Sequence, residues 1–298
     1  MKLILGLSLL MVSLPASMSA AAGAEEHFIE HEGVQRRYLL HLPPNWTKQT
    51  KAPVIVMLHG GGSNPDRART VGLDKYADPQ GFIIVYPAGL NRGWNDGRPI
   101  KGRTADDVGF LSALIDQLAA DYNADTKRIY ATGMSNGGFM SFALACRLAE
   151  KVRAIAPVAG SMAVGSIGDC HPSRSVSVMM INGTADPLVK FEGGKVLGRQ
   201  GSESEPISKV VDFWRRQECG TAKAKIEAQR LPDVDRQDDS TVEIERVKCN
   251  GVEVTNYTVH GGGHTWSGGM QYAPRKLVGP VNRDFSASQA IVEFFASH

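Results

Sequence analysis

The first 145 residues of this chain have no cysteine. The four present, Cys146, Cys170, Cys219 and Cys249, all come after them, and none forms the C-x2-C pair of a structural zinc site. An excess of one charge is missing too. Lys and Arg number 33 against 31 Asp and Glu, the formal net charge is +2, and no basic block occurs. That excludes the electrostatic footprint of a nucleic-acid binder. Internal repeats, low-complexity linkers and breaks in composition are absent as well, so the 298 residues give no sign of a second folded domain.

No apolar run is long enough to span a bilayer as a stable anchor. The N-terminal run Leu3–Leu14 follows the charged Lys2 and is broken by Pro15. Small-residue stretches, Ala20-Ala21-Ala22 and Ala22-Gly23-Ala24, come next, so residues 1–24 are expected to be an export signal and 25–298 the catalytic domain. No cysteine near that cut is available for lipid attachment, so we expect a secreted or periplasmic protein with no membrane anchor. In an oxidising compartment an even cysteine count favours disulfides, and four cysteines allow three connectivities.

The apolar pattern that is present alternates between strand and helix. Val34–His41 reads as an antiparallel edge strand. Pro53–His59 and Phe82–Pro87 are short continuous apolar runs, the pattern of buried parallel strands, and a helix-compatible stretch around Ala68–Ala77 lies between them. The Asp106-Asp107 pair caps a helix whose Leu111, Leu114, Ile115, Leu118 and Tyr122 keep helical spacing. Strands are expected at Arg128–Thr132, Val152–Val158 and Val176–Ile181, and helices over Ile207–Cys219 and Ser286–Phe295. Asn250-Gly251 joins Thr241–Lys248 to Val252–Val259 as a two-residue hairpin. The alternation predicts an α/β fold with a mainly parallel central sheet flanked by helices.

Gly133-Met134-Ser135-Asn136-Gly137 lies between a strand and a helix, so this G-x-S-x-G is read as a nucleophile elbow with Ser135 at its apex. A serine hydroxyl needs a base to take its proton and a third group to orient that base. Asp186 directly follows the Val176–Ile181 strand, while Asp233, Asp235, Asp238 and Asp239 read as an exposed acidic loop. Of the later histidines, His264 sits in a glycine-rich turn and is preferred as base to His260, which ends a strand. The oxyanion hole needs two backbone N–H groups: that of Asn136, and one from the loop after His59, either Gly61 or, as the alternative, Gly60. Trp266 and Trp94 are candidate substrate-pocket walls, and Trp46 and Trp214 read as packing.

Leu58-His-Gly-Gly-Gly-Ser-Asn64, Gly133-Met-Ser-Asn-Gly-Gly138, Asn182-Gly-Thr-Ala-Asp-Pro187 and Gly262-Gly-His-Thr-Trp266 together resemble the exported esterases that include polyhydroxybutyrate depolymerases and feruloyl esterases. The resemblance implies an α/β-hydrolase fold and a serine ester hydrolase without cofactor or metal. It carries over Ser135, Asp186 and His264 as nucleophile, acid and base. It also implies the pairings Cys146–Cys170 and Cys219–Cys249. The short link between Val152–Val158 and Val176–Ile181 predicts no large lid, and hence access for esters attached to something large, even a polymer. Near-neutral net charge leads us to expect an uncharged acyl group. Hydroxyalkanoate-type esters are the expected substrates, with feruloyl or acetyl esters of plant cell walls the alternative. A serine peptidase and a non-catalytic binder of the same fold are the competing classes.

Overall fold

The computed structural model describes residues 23–198, 202–220 and 225–298. Most of the expected export signal, residues 1–22, therefore lies outside the described residues. In chain order the elements begin with strands β1 (Glu25–His31), β2 (Val34–His41) and β3 (Ala52–Leu58). Short helices α1 (Pro65–Arg69) and α2 (Asp74–Ala77) precede β4 (Ile83–Pro87), and α3 (Asp107–Tyr122) precedes β5 (Ala124–Met134). The helix α4 (Asn136–Arg147) leads to β6 (Val152–Val158) and β7 (Ser177–Gly183). A small hairpin, β8 (Gly194–Lys195) with β9 (Glu203–Ser204), comes before α5 (Ile207–Cys219). The chain closes with β10 (Glu227–Arg230), β11 (Thr241–Cys249), β12 (Val252–His260), α6 (Arg275–Val278) and α7 (Ala287–Ala296).

Ten strands form one sheet in the order β1-β2-β4-β3-β5-β6-β7-β12-β11-β10. The centre, from β4 through β12, is parallel, and the outer strands on both sides run antiparallel. All seven residues of β3 are buried, because successive side chains serve opposite faces and both faces are covered. Val54, Val56 and Leu58 join the core shared with α3, α4 and α5, while Ile55 and Met57 join the core shared with α2 and α7. A continuous apolar run is what such a two-sided strand requires.

Several expectations are corrected. β2 is not an edge strand, since β1 pairs along its whole length outside it. β1 reads Glu-Glu-His-Phe-Ile-Glu-His, too polar to announce a strand, and it forms by pairing rather than by burial. The stretch around Ala68–Ala77 is two short helices, interrupted where Gly72 adopts φ 74°. Asp106 alone caps α3, accepting from the Gly109 N–H at 2.9 Å. Asp107 is buried instead, and its Oδ1 accepts from the Arg36 guanidinium at 2.6 Å. Asp238 is 1% exposed rather than part of an exposed loop, because its carboxylate accepts from the Ser240 and Arg283 backbone.

Both disulfides are closed, Cys146–Cys170 with Cα atoms 4.9 Å apart and Cys219–Cys249 with Cα atoms 5.6 Å apart. The first ties the end of α4 to the β6–β7 link, and the second ties the end of α5 to the end of β11. The β6–β7 link carries no helix, so no large lid is built there. Among the described residues no helix is long and apolar enough to cross a membrane.

Candidate active site

The strand order brings the sequence motifs to one edge of the sheet. Ser135 follows β5, Asp186 follows β7 and His264 follows β12, so all three stand on the same C-terminal rim of a parallel sheet. The β3 loop with Gly60 and Gly61 stands beside β5 on the other flank.

Ser135 has φ 58° and ψ −119°, a conformation costly for any residue with a side chain and retained only where the surroundings enforce it. Here close backbone packing enforces it. A Cβ on Gly133 would lie 2.6 Å from the Leu58 carbonyl oxygen, and one on Gly137 would lie 2.1 Å from the same atom. Only glycine at both positions lets the elbow nest against β3. The turn leaves Ser135 partly exposed, with its Oγ hydrogen-bonded to none of the described residues.

Asp186 and His264 meet as a buried pair, 5% and 3% exposed, with Asp186 Oδ2 2.7 Å from His264 Nδ1. Asp186 Oδ1 accepts from the Leu188 and Val189 N–H groups, both at 2.8 Å, so the carboxylate cannot swing and its second oxygen is aimed at the imidazole. With Nδ1 donating to Asp186, Nε2 is left free to accept a proton. The two loops are locked together by the Ala185 N–H donating to the Gly262 carbonyl at 2.9 Å. The His264 N–H donates to the Val278 carbonyl at 2.6 Å, and the Tyr272 hydroxyl donates to the His264 carbonyl at 3.0 Å. His260 lies apart, 3.3 Å from Glu243 at the surface.

The flank of the site that holds Gly60, Gly61 and Asn136 is built from a chain of polar contacts that the sequence did not announce. His59 Nε2 accepts from the Gly89 N–H at 3.0 Å, so the ring proton sits on Nδ1, 2.8 Å from the Gly60 carbonyl, to which it donates. Burial lowers the pKa of His59 below the usual histidine value, which keeps it neutral for that task. The Gly60 carbonyl also accepts from the Ser63 N–H at 3.0 Å. Since the peptide is planar and trans, fixing the Gly60 carbonyl turns the Gly61 N–H to the opposite side. The loop lies beside the elbow: a Cβ on Gly60 would be in ordinary contact with the Ser135 Cβ, at 3.7 Å. Asn136 opens α4, where no preceding helical turn can accept from its N–H.

Asn136 is itself anchored. Its side chain accepts from the Trp94 N–H at 2.8 Å and donates to the Trp94 carbonyl at 3.1 Å and to Asp96 Oδ2 at 2.6 Å. The Trp94 indole N–H donates to the His59 carbonyl at 2.8 Å. Trp94 is 0% exposed, so it is a strut between the His59 loop and the start of α4 and not a pocket wall. Trp266 needs the same correction: it is 3% exposed, packs in the α7 core and donates its indole N–H to Ser288 at 3.0 Å. Asp96 and Arg98 form a buried ion pair, with Arg98 Nη2 2.5 Å from Asp96 Oδ2 and Arg98 Nη1 donating to Ser202 at 3.2 Å. The Arg98 guanidinium also covers the Phe139 ring at 3.6 Å. Asp96 and Arg98 lie in a loop without periodicity, so only their unlike charges two residues apart hinted at a pair.

His31, Glu32 and Asp106 stand close enough to share a cation, but they lie away from the serine in a turn beside α3.

Comparison with known proteins points to esterases. Residues 36–206 match the family described as Esterase PHB depolymerase. NocK, a Nocardia uniformis subsp. tsuyamanensis protein named as an esterase, is 30% identical over 88% of this chain and 79% of its own length. Feruloyl esterase D of Neurospora crassa is 28% identical over 78% of this chain and 74% of its own. The solved acetyl xylan esterase from Aspergillus awamori superposes with a TM-score of 0.58 at 11% sequence identity, covering 92% of this chain and 100% of that one, a likeness of fold alone.

Proposed function

This chain belongs to the esterase PHB depolymerase family, whose members hydrolyse carboxylic esters, and from that premise we propose that it does so through Ser135 as nucleophile. The observation that carries the reading is the buried Asp186–His264 contact of 2.7 Å, on the same sheet rim as a serine in a strained turn. Ser135 Oγ attacks the ester carbonyl carbon as His264 Nε2 takes its proton. The carbonyl oxygen becomes negative and is met by the N–H groups of Asn136 and Gly61. The C–O bond to the alcohol breaks, His264 returns the proton to the departing oxygen, and an acyl-serine remains. Water, deprotonated by His264, then releases the acid. Asp186 stays ionised throughout and stabilises the imidazolium.

For substrate we propose hydroxyalkanoate-type esters. The site has no large lid, which suits an ester that is part of a longer chain, and neither Trp94 nor Trp266 is available to stack on an aromatic acid. Feruloyl or acetyl esters are the second reading, favoured by the names of the relatives and by Tyr272, whose half-exposed ring stands beside His264. We also assign residues 1–24 to export and 25–298 to the catalytic domain, consistent with two closed disulfides.

A fluorophosphonate probe tests the nucleophile directly. Mass spectrometry should find the adduct on the peptide holding Ser135 and none in the Ser135→Ala variant; an adduct on another serine would overturn the assignment. Parallel assays on a short aryl ester, a peptide anilide and feruloyl, acetyl and hydroxybutyrate esters rank the substrate classes.

A further inference from the structure

Between β7 and α5, described residues of the β8–β9 hairpin line a cavity of about 1030 Å³. Pro99, Val164, Lys190, Lys195, Leu197 and Ser202 are among the residues that line it. Its lining residues are tied to the Ser135 and Asp186 turns by three links of chain or packing. Lys190 follows Val189, whose N–H holds the Asp186 carboxylate at 2.8 Å. Val189 and Val196 pack on Phe139, in the first turn after Ser135. Val164 lies on the loop from Gly160, where an added Cβ would lie 3.2 Å from the Ser135 carbonyl oxygen.

The wall is built rather than draped. Arg98, fixed by Asp96 and seated on Phe139, donates to Ser202, and the Ser161 hydroxyl donates to the Glu205 carbonyl at 2.7 Å. The Val196 N–H bonds the Ser202 carbonyl at 2.9 Å, closing the hairpin. Across this frame the lining is divided. Val164 and Leu197 present apolar surface, 54% and 61% exposed. Lys190 and Lys195 are exposed cations, and neither forms an ion pair with a described residue. Glu203 also lines the cavity, opposite Lys195 in the hairpin register, so two positive charges face one negative.

An apolar trough with surplus positive charge suits an apolar chain ending in a carboxylate. We propose that this cavity is a subsite for the free carboxylate end of an oligomeric hydroxy-acid ester, with Lys190 and Lys195 as its specificity residues. In such an oligomer the carboxylate belongs to the alcohol fragment, so the trough takes the unit that departs when the acyl-serine forms. The local balance of charge overrides the neutrality of the chain as a whole, since only charges within about a Debye length of the ligand, roughly 8–10 Å, act on it. This inference rests on the serine-esterase reading above and narrows it to esters attacked from their carboxyl end.

The test compares the 3-hydroxybutyrate dimer as free acid with its methyl ester, and uses a neutral aryl ester as control. In the unmodified protein the free acid should show a KM about three- to tenfold below that of the methyl ester, and added salt should erase the difference. In the double variant Lys190→Gln, Lys195→Gln the KM for the free acid should rise to that of the methyl ester, with kcat and both neutral esters unaffected. Equal KM for acid and methyl ester in the unmodified protein would overturn the proposal, as would a variant that weakens both alike. Turnover of the aryl ester with neither dimer hydrolysed would overturn it too, while leaving the serine mechanism standing. Loss of all three activities would instead strike the parent reading.

Discussion

On the proposed oxyanion side of the site the loops are joined by buried charge and side-chain hydrogen bonds: Asn136 to Trp94, Trp94 to His59, His59 to Gly60, with Asp96–Arg98 behind them at 0% and 1% side-chain exposure. On the proposed proton-relay side Asp186 and His264 hang from turns whose contacts are mostly backbone. A Cβ on Gly263 would lie 2.2 Å from the Val278 carbonyl oxygen, and one on Gly183 would lie 2.2 Å from that of Gly262. Both disulfides lie away from these turns, at the far ends of α4 and α5. The contrast has a chemical reason. Donors to a developing oxyanion must already point correctly before charge appears, so their peptide planes are fixed individually. The imidazole needs one orienting bond and a rigid turn, which close glycine packing supplies.

The contrast is broken most completely at the reacting groups. Ser135→Ala and His264→Ala should each lower kcat by about 10⁵–10⁶, leaving a residual rate from binding and the oxyanion donors. His260→Ala should leave kcat within a few-fold. Comparable loss in the His260 variant would reassign the base. On the relay side Gly263→Ala should push the His264 turn off Val278 and reduce kcat about 10²-fold, since displacement of about an ångström has that effect. An unchanged kcat would show the turn to be compliant.

On the oxyanion side Arg98→Met should strand the Asp96 carboxylate and destabilise the fold by about 3–5 kcal/mol in urea titration. Asp96→Asn with Arg98→Met should recover a substantial part of that loss, because no unpaired charge remains. Additive losses in the double variant would mean that the pair is not coupled. Reduction sharpens the comparison from the outside. Opening the two disulfides should lower stability by roughly 2–4 kcal/mol each, yet leave kcat intact well below the melting temperature, because neither bond touches a reacting group. A thiol titration of the denatured, unreduced protein should find none.

The smallest expected effect concerns His59. Its folded pKa is depressed by burial, so on acidification the unfolded chain takes up the proton first. This contribution is fully present above about pH 6.5, the ordinary histidine value, and is lost as pH falls from there toward the folded pKa. Stability measured between pH 7.5 and 5 on the order of half-unit steps should decline less steeply in His59→Gln. Equal slopes would show that the imidazole does not contribute.

Much of this was readable from residue order. The buried strands β3, β4 and β6 are continuous apolar runs because both sheet faces are covered, and the hairpin Asn250-Gly251 takes φ 50° and 79° as its residues permit. The elbow, the acid and the glycine-flanked histidine were likewise visible, each as a residue type at a strand end. The edge strands β1 and β10 were not, since neither buries a face and each is stabilised by the ladder beside it.

What the sequence determined by itself was the set of buried strands, the sharp turn at Ser135 and the placing of Asp186 and His264 after strand ends. Those follow from local constraints: periodicity, the lack of side chains on Gly133 and Gly137, and chain order. What only the tertiary structure decided was the use of residues whose meaning depends on a distant partner. Trp94 became a strut because its indole N–H donates to the His59 carbonyl at 2.8 Å, and Trp266 turned inward because Ser288 Oγ accepts a hydrogen bond from its indole N–H. Asp96, Arg98 and Ser202 joined loops 104 residues apart in the chain. Buried polar groups must find partners wherever the fold presents them, and local sequence carries no record of which partner that is.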